Sequence, residues 1–173
     1  ATADNYIKNG MATKALVIGA ETMTRILDWN DRTTAVLFGD GAGAVVLEAQ
    51  KDTDRGIIGN LLRTDGRGYD QLYVRGGPST TQTSGTIYMN GREVFRHAAT
   101  KMGEALVAAA QGADIALSEI DWVIPHQANA RIVSAMAEKF HLPLEKTIMT
   151  MNAHANTSAA SIPLAMAVAQ SEG

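Results

Sequence analysis

The stretch that most limits how this chain can fold is residues 121–136, DWVIPHQANARIVSAM. An apolar run, Trp122 to Ile124, stops at Pro125, and a helical pattern takes over within a few residues. Proline has no N–H for a sheet ladder and does not sit inside a helix, so His126 falls between a strand and a helix. In layered α/β proteins, ligands and reacting groups gather at that junction. The same change of period recurs along the chain. Apolar runs bounded by turn residues predict strands over 14–21, 34–38, 43–50, 56–66, 120–125 and 146–151. Val94, Phe95, Ala98, Met102, Ala105, Leu106 and Ala109 share one face of a helix over 91–112. Ile132, Val133, Met136, Ala137 and Phe140 do the same for a helix from Ala128. Residues 157–170, small and apolar all round, predict a buried helix. Strands alternating with helices, many of them apolar on both faces, predict an α/β fold with covered, mixed sheets.

The residues between these elements complete the expectation. Residues 66–84, rich in Gly, Ser, Thr and Asp, read as a long surface loop. Ala1 to Asn9 read as the last turns of a helix stopped by Gly10. The chain opens without a methionine and closes on a helix, so it reads as an interior piece of a longer protein.

Composition narrows the function classes. The 173 residues carry a net charge of -3 and 46% apolar residues. That argues for an ordered domain and against a nucleic-acid partner. There is no cysteine, hence no thiolate nucleophile, disulfide or cysteine-bound metal within the chain. No apolar run reaches the roughly 18 residues of a membrane helix, so no membrane partner and a cytoplasmic location are expected. His97, His126, His141 and His154 show no i, i+4 metal spacing, so no metal and no cofactor are expected.

Two motifs lead nowhere. GDGAGA, 39–44, fits a loose dinucleotide pattern, but a strand follows where a helix should begin; a tight turn between two strands is expected. NTS, 156–158, fits a glycosylation acceptor but abuts a small apolar helix. PHQANAR and NAHANTSAAS remain. Each puts a residue with hydrogen-bond donors, His126 or Asn156, at the end of an apolar run. Thr157 and Ser158 suit the start of the helix that follows. Read as residues alone, two satisfied structural polar groups and two donors converging on one developing oxyanion are equally good accounts.

VIPHQANARI and NAHANTSAASIP resemble the histidine and asparagine motifs of β-ketoacyl-acyl carrier protein synthase III, a condensing enzyme with a thiolase fold. DRTTAVLFGDGAGAVVLEA and MNGREVFRHA resemble the same family. The resemblance implies a thiolase-like layered αβαβα fold, incomplete in this chain. Residues 1–65 would belong to the N-terminal half, 66–90 to a connection and 91–173 to a truncated C-terminal half. It implies that acyl-CoA loads a cysteine, that malonyl-acyl carrier protein loses CO₂, and that the resulting carbanion attacks the acyl group. His126 and Asn156 would be two members of a Cys-His-Asn triad whose cysteine lies upstream of Ala1. Acyl carrier protein would dock on Gln127, Ala128, Asn129, Ala130 and Arg131. Acyl-CoA, a substrate and not a cofactor, would meet Arg32, Phe38, Phe95 and Asn129. A homodimer is implied, with a companion chain carrying the cysteine as one possibility. A relative with another acyl substrate and a non-catalytic binding fragment of the same fold are the alternatives.

Overall fold

A computed structural model describes residues 1–51, 53 and 55–172. Helix α1, Thr2–Lys8, ends before Gly10, whose φ of +70° fulfils the expected stop. Strands β1, Lys14–Thr22, and β2, Asp40–Glu48, form an antiparallel pair in which Gly19 faces Gly43 and Leu16 faces Val46. A second pair joins β3, Leu72–Arg75, to β4, Thr86–Met89. Helix α2, Gly91–Gly112, takes the expected span, capped by the Asn90 side chain on the Glu93 N–H. Helix α3 is Ala130–Lys139, α4 a single turn, Met151–His154, and α5 Ser161–Glu172.

The core lies where α3 meets α2. Met136, Ala137 and Leu142 are buried there, with Met102, Leu106, Val123 and Phe140 packed around them. This is the apolar stripe anticipated on both helices. α5 lies on β2, where Pro163 and Leu164 approach Gly43 and Gly41 to about 3.0 Å of where a Cβ would stand.

Several expectations about single elements fail. Residues 34–38 are not a strand. Asp31 accepts bonds from Thr33 and from the Thr34 hydroxyl and winds the segment into turns, leaving Phe38 in one parallel bridge with Asn156. Residues 40–43 are not a turn but part of β2, because glycines let α5 come close to the strand. Residues 56–66 form no strand, and the loop expected over 66–84 instead contains β3, where Tyr73 packs against Tyr88. Residues 120–125 and 146–151 meet only at one bridge, Val123 with Thr147. α5 buries only Ser161 and Ala165, while Ile162 and Met166 are exposed. On one face of β1–β2, Leu16, Ile18 and Val46 are more than 60% exposed. Among the described residues, no helix is long and apolar enough to cross a membrane.

Candidate functional site

His126 stands on the turn between the Val123 bridge and α3. Gln127 holds that turn. Its side chain is buried; Nε2 donates to the carbonyls of Pro125 at 2.8 Å and Ile148 at 3.0 Å, and Oε1 accepts from the Thr150 N–H at 2.7 Å. The expectation that Gln127 faces a partner is therefore corrected, since its amide is fully engaged inside the fold. Asn129 caps α3, its Oδ1 accepting from the Arg131 N–H at 2.8 Å. The imidazole of His126 is half-buried, with Nδ1 2.7 Å from Ser161 Oγ. Burial holds its pKa below the usual 6.5, because a charged ring loses its hydration there. The ring is neutral at pH 7 and carries one N–H.

Asn156 is fixed from both sides of its backbone. Its N–H donates to Leu37 O and its carbonyl accepts from Gly39 N–H, both at 3.0 Å. The preceding residue, Ala155, has φ 58° and ψ −160°, a region costly for any residue with a Cβ. Tight space explains how the conformation is held: a Cβ on Gly39 would stand 3.1 Å from His154 O and 3.2 Å from Ala155 Cβ. The Asn156 side chain is buried, and its Oδ1 accepts from the Ser158 N–H at 3.0 Å. That bond fixes the amide so that the NH₂ end is the free one.

Both side chains line one cleft of about 640 Å³. Its walls are apolar, with Phe38, Phe95, Val94, Ile87 and Met102 among them, and Ala128, Asn129 and Arg131 stand at the histidine end. Phe38, Phe95, Asn129 and Arg131 are thus brought to the same cleft as His126 and Asn156. Ala130 is exposed beside it without lining it, and Arg32 is exposed next to Thr33, which does line it. Arg131 and Arg92 line the cleft, are exposed, and have no ion-pair partner among the described residues. Arg96 is paired with Glu93 at 2.7 Å, and Lys139 donates to Thr100 Oγ1 at 2.9 Å.

Sequence reasoning missed the contribution of the hairpin and of the helix start. Leu72 reaches the cleft from β3, inside the stretch that reads as loop, and Ile87 and Met89 reach it from β4 just beyond that stretch. Ser158 and Ser161, which tether Asn156 and His126, were visible only as polar residues opening a small-residue helix. Chemically, the site offers two neutral donors in an apolar cleft that Arg92 and Arg131 also line. Such an arrangement stabilises charge developing on a thioester carbonyl oxygen.

The family model for 3-oxoacyl-[acyl-carrier-protein] synthase III matches residues 1–66, and the model for the C-terminal part of the same family matches residues 110–173. A β-ketoacyl-[acyl-carrier-protein] synthase III of Erythrobacter litoralis is 59% identical over all of this chain and 54% of its own length. One from Bradyrhizobium diazoefficiens is 56% identical, again over the whole chain and 55% of its own. The crystal structure of the Pseudomonas aeruginosa synthase III superposes with a TM-score of 0.93 at 36% identity, covering 99% of this chain and 55% of the other. That from Thermus thermophilus gives 0.91 at 40% identity, with 99% and 55% coverage. The fold is the layered α/β thiolase fold of these enzymes. The chain spans about half the length of the relatives it matches.

Proposed function

Because the chain belongs to the 3-oxoacyl-[acyl-carrier-protein] synthase III family, we propose that it is the enolate-stabilising part of a condensing acyltransferase that joins an acyl group from acyl-CoA to malonyl-acyl carrier protein. The observation that carries this reading is that His126 and Asn156 line a single apolar cleft, the Asn156 Oδ1 accepting from the Ser158 N–H and the His126 Nδ1 standing 2.7 Å from Ser161 Oγ.

The chemistry follows from those donors. The malonyl thioester breaks the bond between its α-carbon and carboxylate. CO₂ leaves, and the electron pair moves into an enolate whose negative oxygen accepts from the imidazole N–H and the amide N–H. The enolate carbon then attacks an acyl thioester, the new C–C bond forms, and the thiolate departs. A neutral imidazole suits the role because it donates without having to give up a proton at pH 7. The apolar walls keep water from the carbanion and strengthen both hydrogen bonds.

The thiol that carries the acyl group comes from outside this segment, which has no cysteine. Phe38 and Phe95 would line the acyl channel, and Arg32 and Asn129 would stand toward the CoA. The carrier protein would approach over Ala128, Asn129, Ala130 and Arg131, where the exposed Arg131 would meet an acidic partner. Residues 1–65 would belong to the N-terminal thiolase-like half, 66–90 to the connection and 91–173 to the C-terminal half. The working protein would be a cytoplasmic homodimer, needing no cofactor.

The test is a condensation assay with the full-length protein. Acetyl-CoA and malonyl-acyl carrier protein should yield a 3-oxoacyl-carrier protein and CO₂. Labelled acetyl-CoA should leave this segment unlabelled after denaturation. Stable label within residues 1–173, or no product from any acyl-CoA tried, would overturn the reading.

A further inference from the structure

We propose that Ser161 is a positioning residue that fixes the tautomer of His126, so that the single ring proton is carried on Nε2 and points into the cleft. This rests on the reading of His126 as an oxyanion donor and adds the device that makes it one.

The donors and acceptors around one hydroxyl decide the tautomer. Ser161 opens α5 and is 1% exposed, so water does not satisfy it. Its Oγ has two protein partners: His126 Nδ1 at 2.7 Å and the backbone N–H of Gln127 at 3.3 Å. A hydroxyl offers one proton and two lone pairs. The Gln127 N–H can only donate, so it takes a lone pair. The hydroxyl proton then needs an acceptor, and among the described residues Nδ1 is the one within bonding distance. An accepting Nδ1 is an unprotonated Nδ1, which leaves the ring proton on Nε2. In the opposite tautomer, Nδ1–H and Gln127 N–H both point at Oγ, and the buried hydroxyl proton has no partner. Stranding a buried donor disfavours that form by roughly tenfold or more.

Asn156 provides the parallel. Its Oδ1 is held by Ser158 N–H at 3.0 Å, which leaves its NH₂ free. The four residues 158–161 therefore occupy the acceptor ends of both cleft donors, one through a backbone amide and one through a hydroxyl. A nearby helix start alone would favour a neutral ring without choosing between its two nitrogens; the hydroxyl makes that choice.

The tautomer is directly readable. In the full-length protein, ¹⁵N-histidine labelling with long-range proton–nitrogen correlation gives one pattern per imidazole, and His126→Asn identifies its own by its loss. In the wild-type protein near pH 7.5 the His126 pattern should be that of Nε2–H. In Ser161→Ala the Nδ1–H form should become measurable beside it, and Ser161→Thr, which keeps the hydroxyl, should restore the wild-type pattern. In the complete enzyme Ser161→Ala should lower kcat for malonyl decarboxylation about tenfold, with acyl loading and KM little changed. A proton on Nδ1 in the wild type overturns the proposal without need of any variant. So does a Ser161→Ala variant in which the His126 proton stays wholly on Nε2. A wild-type enzyme that shows the expected tautomers but no decarboxylation leaves Ser161 in its role and refutes the proposed function instead.

Discussion

Gly19→Ala adds one methyl group at the contact that seats the asparagine loop against the sheet. A Cβ built on Gly19 would stand 2.3 Å from the carbonyl oxygen of Ala159, 2.6 Å from its carbon and 2.9 Å from the amide nitrogen of Ala160. Ordinary contact begins near 3.4 Å, so the two segments must separate by about an ångström. Neither side yields easily. Gly19 is paired with Gly43 in the middle of the β1–β2 ladder, and Ala159 and Ala160 run directly into α5. Overpacking of this kind costs roughly 1–3 kcal/mol. The loss of backbone freedom in the unfolded chain returns about 0.4–1 kcal/mol. The net, about 1–2 kcal/mol, corresponds to a fall in Tm of roughly 2–8 °C for a domain of this size. Thermal unfolding followed by circular dichroism reads it. Gly112→Ala supplies the control. Gly112 closes α2 with nothing within 4 Å of its Cβ position, so the same substitution there should hold Tm or raise it, the stability gained being up to about 1 kcal/mol. Equal effects at the two glycines, or no loss at Gly19, would refute the claim that β1 and residues 158–160 are in backbone contact.

Other consequences follow from the same geometry. Gln127→Ala removes three hydrogen bonds, two of them buried and one partly so, and should destabilise by about 2–4 kcal/mol, visible as a lower denaturation midpoint; a stable variant with only a raised KM for carrier protein would restore the docking role. His126 has a folded pKa below its unfolded 6.5, so between those two values the unfolded chain binds the extra proton. Stability should be fully present above pH 6.5 and decline as pH falls through that window, and denaturation midpoints of wild type and His126→Gln should converge as it does. Arg131→Glu, at an exposed cation lining the cleft, should raise KM for malonyl-acyl carrier protein while leaving KM for acetyl-CoA nearly unchanged, and it should weaken the salt dependence of the rate. A large drop in Tm for that variant would assign Arg131 to the fold instead.

The helices were legible in the sequence because each carries its own signal. The 22 residues of α2 hold a full apolar stripe with Asn90 at one end, and α3 repeats the pattern with Asn129 as its cap. Strands were less legible, since a short apolar run does not say whether a partner lies beside it. TAVLF, 34–38, has the composition of a strand but is turned by the Asp31 carboxylate. LYVR, 72–75, is a strand hidden among loop residues because its partner lies across a glycine-rich connection. The site residues His126 and Asn156 stood out by position, but their bonding did not. Ser161 is 35 residues from His126 in the chain, and no local pattern links them. Gln127 shows the reverse error: a polar residue in a site motif looks like a contact for a partner, and only the fold reveals that its amide closes the turn beneath the histidine.

The central claim is that His126 and Asn156 donate to the enolate oxygen and have little part in acyl loading. The most direct measurement compares the two half-reactions in the complete enzyme, CO₂ release from malonyl-acyl carrier protein and acyl transfer from labelled acetyl-CoA to the cysteine. His126→Ala and Asn156→Ala each remove one oxyanion donor, a loss on the order of 10²–10³ in rate. The account predicts that CO₂ release falls by that factor in both variants while acyl labelling stays within a few-fold of wild type. Loss of labelling as deep as the loss of CO₂ release, in both variants, would contradict it.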